Sequence, residues 1–520
     1  MKLIYSIVLS SLGCAAFAQS NDTIRIKENE NPSLIQSLLW QHPINTSSLN
    51  IKDYTQVGVK LLHDNKNLKH TQEAGLTTKY QFVADGYYNF SDKFKVFGDF
   101  KIDQFSEDEL SYNLSSERTS NTNKILSPNY FYSPSSAQWK NQIYHISAGG
   151  SYEVFNNFYS GLAVNYENSV FNRTSDPRPK STTNLLQANF NLGYKIGAST
   201  LSVNYNLSRN KLENETYFES KTLNPNTDPL YNIKFSSGYG YKFYNNEYSR
   251  YLNVTKGNAV GLNYSLKLPN LYILTSAETG VLLSNYYTKN NNSSSYPRPL
   301  EEDKFIQYKS QNKFYKANVF VRSLLENGSI ESKLNFENKT IMNFIVQNRS
   351  TNYQYKNNNL NFEVLYNFNK KQLIKSIGID AYYDQLNVKD LLGITEKQHS
   401  SIDFLIFAQN KFNLNKNNHS LFVNAGIGAF VPVKNALAYT PTSQDESFIN
   451  NVVIADYNLH GTYKFNMNLL THYDVPYQNK TIRFSASYKT IDALSKNINS
   501  IDSSIKGTSN YYTFGVSVIY

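Results

Sequence analysis

The chain has 520 residues, a formal net charge of +10 from 51 Lys and Arg against 41 Asp and Glu, and 14% aromatic residues, with 42 Tyr and 31 Phe among them. No apolar run after residue 18 approaches the ~20 residues a membrane helix needs, which excludes a helical membrane protein. A disordered polar chain would be poor in aromatics, and without a compact basic block the lysines read as solvated side chains rather than as a nucleic-acid footprint.

The chain begins with Met1-Lys2, a mostly apolar stretch from Leu3 to Leu12, and Ala16-Phe17-Ala18 before Gln19. This pattern reads as a secretory signal peptide, residues 1–18, cleaved after Ala18. The rival is a lipoprotein signal ending at Cys14, but Leu12 stands one place too late for a good lipobox. Cys14 is the only cysteine, so the exported chain would have no disulfide and no Cys-ligated metal. Residues 19–51 form an N-terminal periplasmic segment. It is polar from Asp22 to Asn31, and Pro32 to Trp40 can form one or two helical turns. The expectation is an amphipathic lead-in resting at the barrel base; a small plug entering the lumen is the alternative.

From residue 52 to 520 the chain becomes a series of two-residue alternations, the side-chain period of a β-strand. Phe94, Val96, Gly98, Phe100 and Ile102 form one row, interleaved with Lys95, Phe97, Asp99, Lys101 and Asp103. Tyr144 to Val154, Leu162 to Tyr166, Leu186 to Tyr194, Leu201 to Leu207, Val260 to Leu268, Leu360 to Phe368, Ile377 to Tyr383 and Ile482 to Tyr488 repeat the plan. Connections alternate in length. Short turns rich in Asn, Gly, Asp and Pro fall at Ser91-Asp92, Asn156-Asn157, Gly197-Ala198, Pro269-Asn270, Asn327-Gly328, Asn369-Lys370 and Asn415 to Asn418. Between them lie long polar connections: Phe105 to Asn141, Ser169 to Thr182, Asn210 to Gly257, Thr288 to Asp303, Leu386 to Ser400, Val431 to Asn450 and Ile491 to Thr508.

Short turns on one side and long loops on the other define the expected fold. It is all-β: a transmembrane antiparallel up-and-down β-barrel of about 18 strands, within a range of roughly 16 to 20, with short periplasmic turns and long extracellular loops. Lys304 to Leu324 is a strand whose register can slip, and Val452 to Tyr473 reads as a strand long enough to leave the membrane. The last strand carries Tyr512, Phe514, Val516, Val518 and Tyr520 at alternate places. A closed barrel must pair its last strand with its first, here the one around Val57, Val59 and Leu61. This ending resembles the C-terminal assembly signal of bacterial outer-membrane β-barrel proteins. Residues 52–520 as a whole resemble Tyr/Asn-rich outer-membrane barrels, including families known only as domains of unknown function. The resemblance implies the bacterial outer membrane as location. It implies outer-membrane lipid, lipopolysaccharide and the barrel assembly machinery as partners, with a small-molecule solute as a further candidate.

Parity assigns mixed charge to the lumen: Lys95, Asp99, Lys101, Asp103, Glu278, Glu331, Lys333, Glu337, Glu363, Asp380, Asp384, Asp403, Lys411, Asp456, Lys464, Arg483 and Lys489. Two readings stay open, a pore with a transverse field and a solvated wall with ion pairs between neighbouring strands. A lumen this wide should hold water, a loop or a plug. The motif S-x-P-R-P occurs twice, at Ser175 to Pro179 and Ser295 to Pro299, in external loops. Arg178 and Arg298 are therefore candidate loop contacts for phosphate, or partners of local acids. No G-x-S-x-G, H-E-x-x-H or phosphate loop is present, so no catalytic residue and no cofactor is expected. His460 and His472, read as sharing one strand, are too far apart for a common metal, and Asp384 and His399 flank one loop. A passive channel or transporter leads; a non-conducting, partner-binding barrel comes second, and a barrel-embedded hydrolase third.

Overall fold

The computed structural model describes residues 42–44, 53–116, 129–219, 231–237, 242–244, 249–288, 306–368, 375–414, 419–440, 445–498 and 505–520. Eighteen antiparallel strands form one closed barrel. Those running away from the N-terminal side are β1 (Tyr54–Lys66), β3 (Phe94–Leu110), β6 (Phe158–Arg173), β8 (Ser199–Tyr217), β12 (Leu271–Thr288), β14 (Gly328–Ile345), β16 (Lys375–Asp390), β18 (Ser420–Tyr439) and β20 (Lys480–Asn497). Those returning are β2 (Leu76–Asn89), β5 (Ala137–Phe155), β7 (Arg178–Ile196), β11 (Ser249–Lys267), β13 (Ile306–Leu325), β15 (Ser350–Phe368), β17 (Thr395–Asn413), β19 (Thr462–Tyr477) and β21 (Thr508–Ile519). Three short strands, β4 (Asn129–Tyr132), β9 (Lys234–Ser237) and β10 (Lys242–Tyr244), make a separate small sheet.

The barrel closes where β1 meets β21, with Val57 opposite Val518, Val59 opposite Val516 and Leu61 opposite Phe514. All six belong to the outward set. The rows expected to face outward are exposed, Ile146, Leu162, Leu192, Leu262 and Ile379 among them. An apolar exterior on a barrel with no free edge is the outer-membrane β-barrel fold, since every backbone group is paired inside the wall. Periplasmic turns are tight, with Asn157 (φ 67°) and Gly197 (φ 58°) in the left-handed region that two-residue hairpins require. Aromatic side chains gather beside these turns. Phe155 and Phe158 stack at 4.7 Å across one of them, and Tyr366 and Phe368 meet at 4.5 Å.

Several boundaries differ from the sequence reading. The wall runs on past the apolar band, so strands consume much of the expected loops. β3 continues to Leu110, β7 starts at Arg178, and only residues 391–394 separate β16 from β17. Ladder hydrogen bonds continue wherever a neighbour is available, whatever the polarity outside. β13 pairs with β14 in unbroken register. Residues 452–461 are not strand. A single helix, α1, is built from Glu446–Phe448, a π-helical stretch Ile449–Ile454 and Ala455–Gly461, and β19 begins only at Thr462. His460 and His472 therefore do not share a strand. Pro32 to Trp40 lies outside the described residues. His42 to Ile44 stand inside the lumen. A Cβ built on the inward Gly161 would meet Pro43 Cβ at 3.1 Å, and one on Gly193 would meet Ile44 Cδ1 at 3.1 Å.

Candidate functional site: a capped polar lumen

The outer part of the lumen is filled by the protein's own loops. The connection after β3 supplies β4, and the connection after β8 supplies β9 and β10. Phe131 and Phe235 from this small sheet pack with Tyr251, Tyr286, Tyr308 and Ile345 of the barrel wall, together with Leu114, Leu212 and Ile233. The rings of Phe131 and Phe235 lie 4.9 Å apart, and those of Tyr251 and Tyr286 also 4.9 Å. Aromatics in direct contact exclude water and gain packing beyond their area. Asn129 and Asn343 exchange amide hydrogen bonds at 2.8 and 3.2 Å, which ties the sheet to β14.

Helix α1 completes the cap. Phe448, Val452 and Val453 pack on Tyr112, Tyr130 and Tyr132. Asp445 caps the helix by accepting from the Phe448 N–H at 3.2 Å. The same carboxylate accepts from Tyr132 Oη at 3.2 Å and from Lys234 Nζ at 2.7 Å. One buried acid thus joins helix, β4 and β9. Asn435 of β18 donates to the Tyr457 carbonyl at 2.9 Å, holding α1 against the wall.

Three of the chain's eight histidines meet where α1 touches the barrel. His70 from the β1–β2 connection and His399 of β17 flank His460 of α1, with ring centroids 5.0 and 4.6 Å away. His70 Nδ1 lies 2.8 Å from Asp456 Oδ1, and Lys397 Nζ lies 3.1 Å from His460 Nδ1. His399 therefore contacts His460 rather than Asp384, which accepts from Asn357 at 2.9 Å. The positions come from three distant parts of the chain, so no local motif announces them. Among the described residues no group of three His, Cys, Asp or Glu could hold a metal ion.

Below the cap the lumen holds a polar cavity of about 590 Å³. Its lining includes Glu278 on β12, Lys316 on β13, Glu337 and Lys339 on β14, Asn357, Asn359 and Asn361 on β15, Asp380 and Tyr382 on β16, and Asp403 on β17. His42 borders the same space, with its Nδ1 buried and without a partner.

The charged candidates on strands all occupy the inward set: Lys95, Asp99, Lys101 and Asp103 on β3, Glu331 and Lys333 on β14, Glu363 on β15, Asp384 on β16, Lys411 on β17, Lys464 on β19, and Arg483 and Lys489 on β20, besides those of the cavity. Asp456 is the correction. It sits on α1, buried beside His70, because its segment is helical. Opposite charges stand side by side on neighbouring strands. Lys316 and Lys339 reach Glu337 at 3.7 and 2.8 Å, Arg322 reaches Glu331 at 3.4 Å, Arg483 reaches Asp474 at 2.7 Å, and Lys79 reaches Asp103 at 3.3 Å. His145 Nε2 lies 3.0 Å from Asp99. Arg178 is bound by Asp176 at 3.1 Å and by Glu219. Arg298 lies outside the described residues.

Strand register, outward apolar face and inward polar face define an outer-membrane β-barrel, here with its outer mouth filled from within. The chain belongs to the family of unknown function DUF6850, whose profile matches residues 43–520. No curated protein matches the sequence. Among solved structures the chain is similar to the ferric preacinetobactin receptor BauA of Acinetobacter baumannii, at 8% identity and a TM-score of 0.38 over 90% of this chain and 80% of that one. It is similar to the ferric-catecholate import receptor Fiu of E. coli K12, at 9% identity and a TM-score of 0.39 over 90% and 81%. A FadL homologue of Pseudomonas aeruginosa covers 93% of both chains at 9% identity and a TM-score of 0.33.

Proposed function

We propose that this protein sits in the outer membrane and handles a small polar solute in a lumen that its own loops hold shut, rather than acting as a freely open passive channel. Residues 1–18 serve as the export signal in this reading, and β21 as the element by which the assembly machinery closes the barrel. The observation that carries the reading is the cap. Phe131, Phe235, Tyr132 and Phe448 fill the outer lumen as a folded core, not as a loose fringe. Beneath it the walls are polar and enclose space of a small solute's size.

Planar-bilayer recording of the refolded protein tests this. The wild type should show no steady open current, and replacing residues 446–461 with a Gly/Ser linker should produce discrete steps. A large constant wild-type conductance would sink the capped reading. Silence from the linker variant, with heat-modifiable gel migration showing a folded barrel, would instead favour a non-conducting barrel that presents its surface to a partner.

A further inference from the structure

We propose that the cavity beneath the cap is a binding site for a small organic cation bearing more than one amine or guanidinium group. This rests on reading the lumen as the solute's place. The argument begins with register. Glu363 on β15 stands directly opposite Asp380 on β16, and Tyr382 two places on stands opposite Asp403 of β17. Like charges facing each other across a ladder destabilise a sheet, so a wall built this way carries an electrostatic cost.

Lys333 offsets that cost at Glu363, where it acts more strongly than Asp380 does, but among the described residues no lysine or arginine forms an ion pair with Asp380 or Asp403. The inward positions at mid-height are Asn357, Asn359, Asn361 and Glu363 on β15, Asp380, Tyr382 and Asp384 on β16, and Ser401, Asp403 and Leu405 on β17. None is Lys or Arg. Lys333 faces Glu363 in register, and Lys489 and Lys464 act on Asp403 through space. Among the described residues, however, no ion pair within 4.0 Å joins any of these lysines to the panel. The acids are held by amides instead. Asn361 Nδ2 donates to Asp380 at 2.8 Å and Asn466 Nδ2 to Asp403 at 3.1 Å. Across the cavity Glu278 accepts from Asn204 at 3.3 Å and from Asn206. An amide fixes a carboxylate's direction but leaves its charge and its other lone pairs for a guest.

The charge count points the same way. The cavity's lining has four carboxylates, Glu278, Glu337, Asp380 and Asp403, against two lysines, Lys316 and Lys339. Both lysines are engaged by Glu337. The negative patch sits inside a chain of net charge +10. In a low-dielectric cleft such a patch concentrates cations. Among the described residues no three ligating groups could hold a metal ion, and the spaced acids suit a guest whose charges are spread along a chain. Tyr355 and Tyr382 border the same space and offer rings to an ammonium. His42 adds a second pointer to a guest, a polar group 4% exposed at the cavity's edge with an unused ring nitrogen.

The test uses spermidine as probe and the full chain refolded in detergent. Spermidine is added after refolding in a calorimetric titration. In a second arm it is present throughout refolding, so that the cavity can load before the cap closes, and bound amine is measured after gel filtration. The expected result is saturable binding in at least one arm that weakens with salt and is not displaced by maltose or citrate. Asp380→Asn with Asp403→Asn should weaken it about tenfold or more, and Glu278→Gln should weaken it independently, while Asp92→Asn at a periplasmic turn leaves it unchanged. No bound spermidine in either arm overturns the proposal. So does equal binding by the folded double variant, or preferential binding of citrate or maltose. Conductance plays no part here, so failure of the gating reading and failure of this one are separate results.

Discussion

Lys234 and Asp445 form an ion pair at 2.7 Å with both side chains nearly buried, and it joins the inner sheet to the helix that Asp445 caps. Removing one member of a buried pair strands the other, at a cost of about 3–5 kcal/mol. Asp445→Ala also deletes the helix cap. The cap of this variant should become sensitive to limited proteolysis while the barrel keeps its heat-modifiable migration. Lys234→Met combined with Asp445→Leu should restore much of the protection, because an apolar pair removes the stranded charge. A double variant no better protected than Asp445→Ala would show that the pair is not what latches the cap.

At the opposite end of the chain, Phe514 faces outward beside Leu61 on the seam. It lies six residue steps from Tyr520; at about 3.3 Å per step and a tilt of about 40°, that is a rise of roughly 15 Å. Phe514 therefore lies near the middle of the apolar band. Phe514→Arg should cost about 2–4 kcal/mol, whereas Ser517→Arg, inward and near the periplasmic end, should cost much less. Urea unfolding in lipid vesicles measures both. Equal costs would contradict the assignment of faces.

The barrel was legible because its physics is local. Each strand must show lipid every second residue, and the two strands that meet at the seam, the one around Val57, Val59 and Leu61 and the last one, could be named from that rule and closure alone. The cap was not legible, because its strands and helix sit within polar connections where no lipid enforces a pattern. Its signals are short. Tyr130, Phe131 and Tyr132 are three consecutive aromatics inside an expected loop, and both faces of β4 are buried. Phe448, Val452, Val453 and Tyr457 recur at helical spacing behind Asp445, a good helix-capping residue. Read for alternation, residues 452–461 give a strand instead of the helix they form. The charged wall was legible in position but not in pairing. Whether Glu337 faces Lys316 or an acid depends on register between strands, which a single strand's sequence does not contain.

Arg178 was a candidate for phosphate on lipopolysaccharide, and its surroundings favour another role. Its guanidinium is held by Asp176 and Glu219, while Asp176 also accepts from the Glu219 N–H at 3.1 Å. Arg178→Ala should loosen the β6–β7 and β8 ends, by about 1 kcal/mol or less because the pair is partly exposed. Proteolysis near residues 173–178 should rise, with lipopolysaccharide binding unchanged. Lost lipopolysaccharide binding without any change in proteolysis would restore the phosphate role.

The cap should also respond to acid, and the direction follows from His460. Burial, with Lys397, His399, His70 and Lys464 nearby, holds its imidazole well below the usual value. The closed cap therefore keeps His460 neutral, whereas an opened cap lets it take up a proton below about pH 6.5. Since the open form then binds more protons, the closed form loses stability as pH falls below about 6.5, by up to ~1.4 kcal/mol for each unit. Above that pH the group contributes no further change. Asp456, hydrogen-bonded to His70 Nδ1 at 2.8 Å, and Glu73, which accepts from the His70 N–H at 3.2 Å, limit the repulsion that follows. Channel events or cap proteolysis should increase between pH 7 and pH 5 in the wild type, and His460→Gln should flatten the response. A cap that tightens on acidification, or a pH profile identical in His460→Gln, would remove the histidine cluster from the closing device.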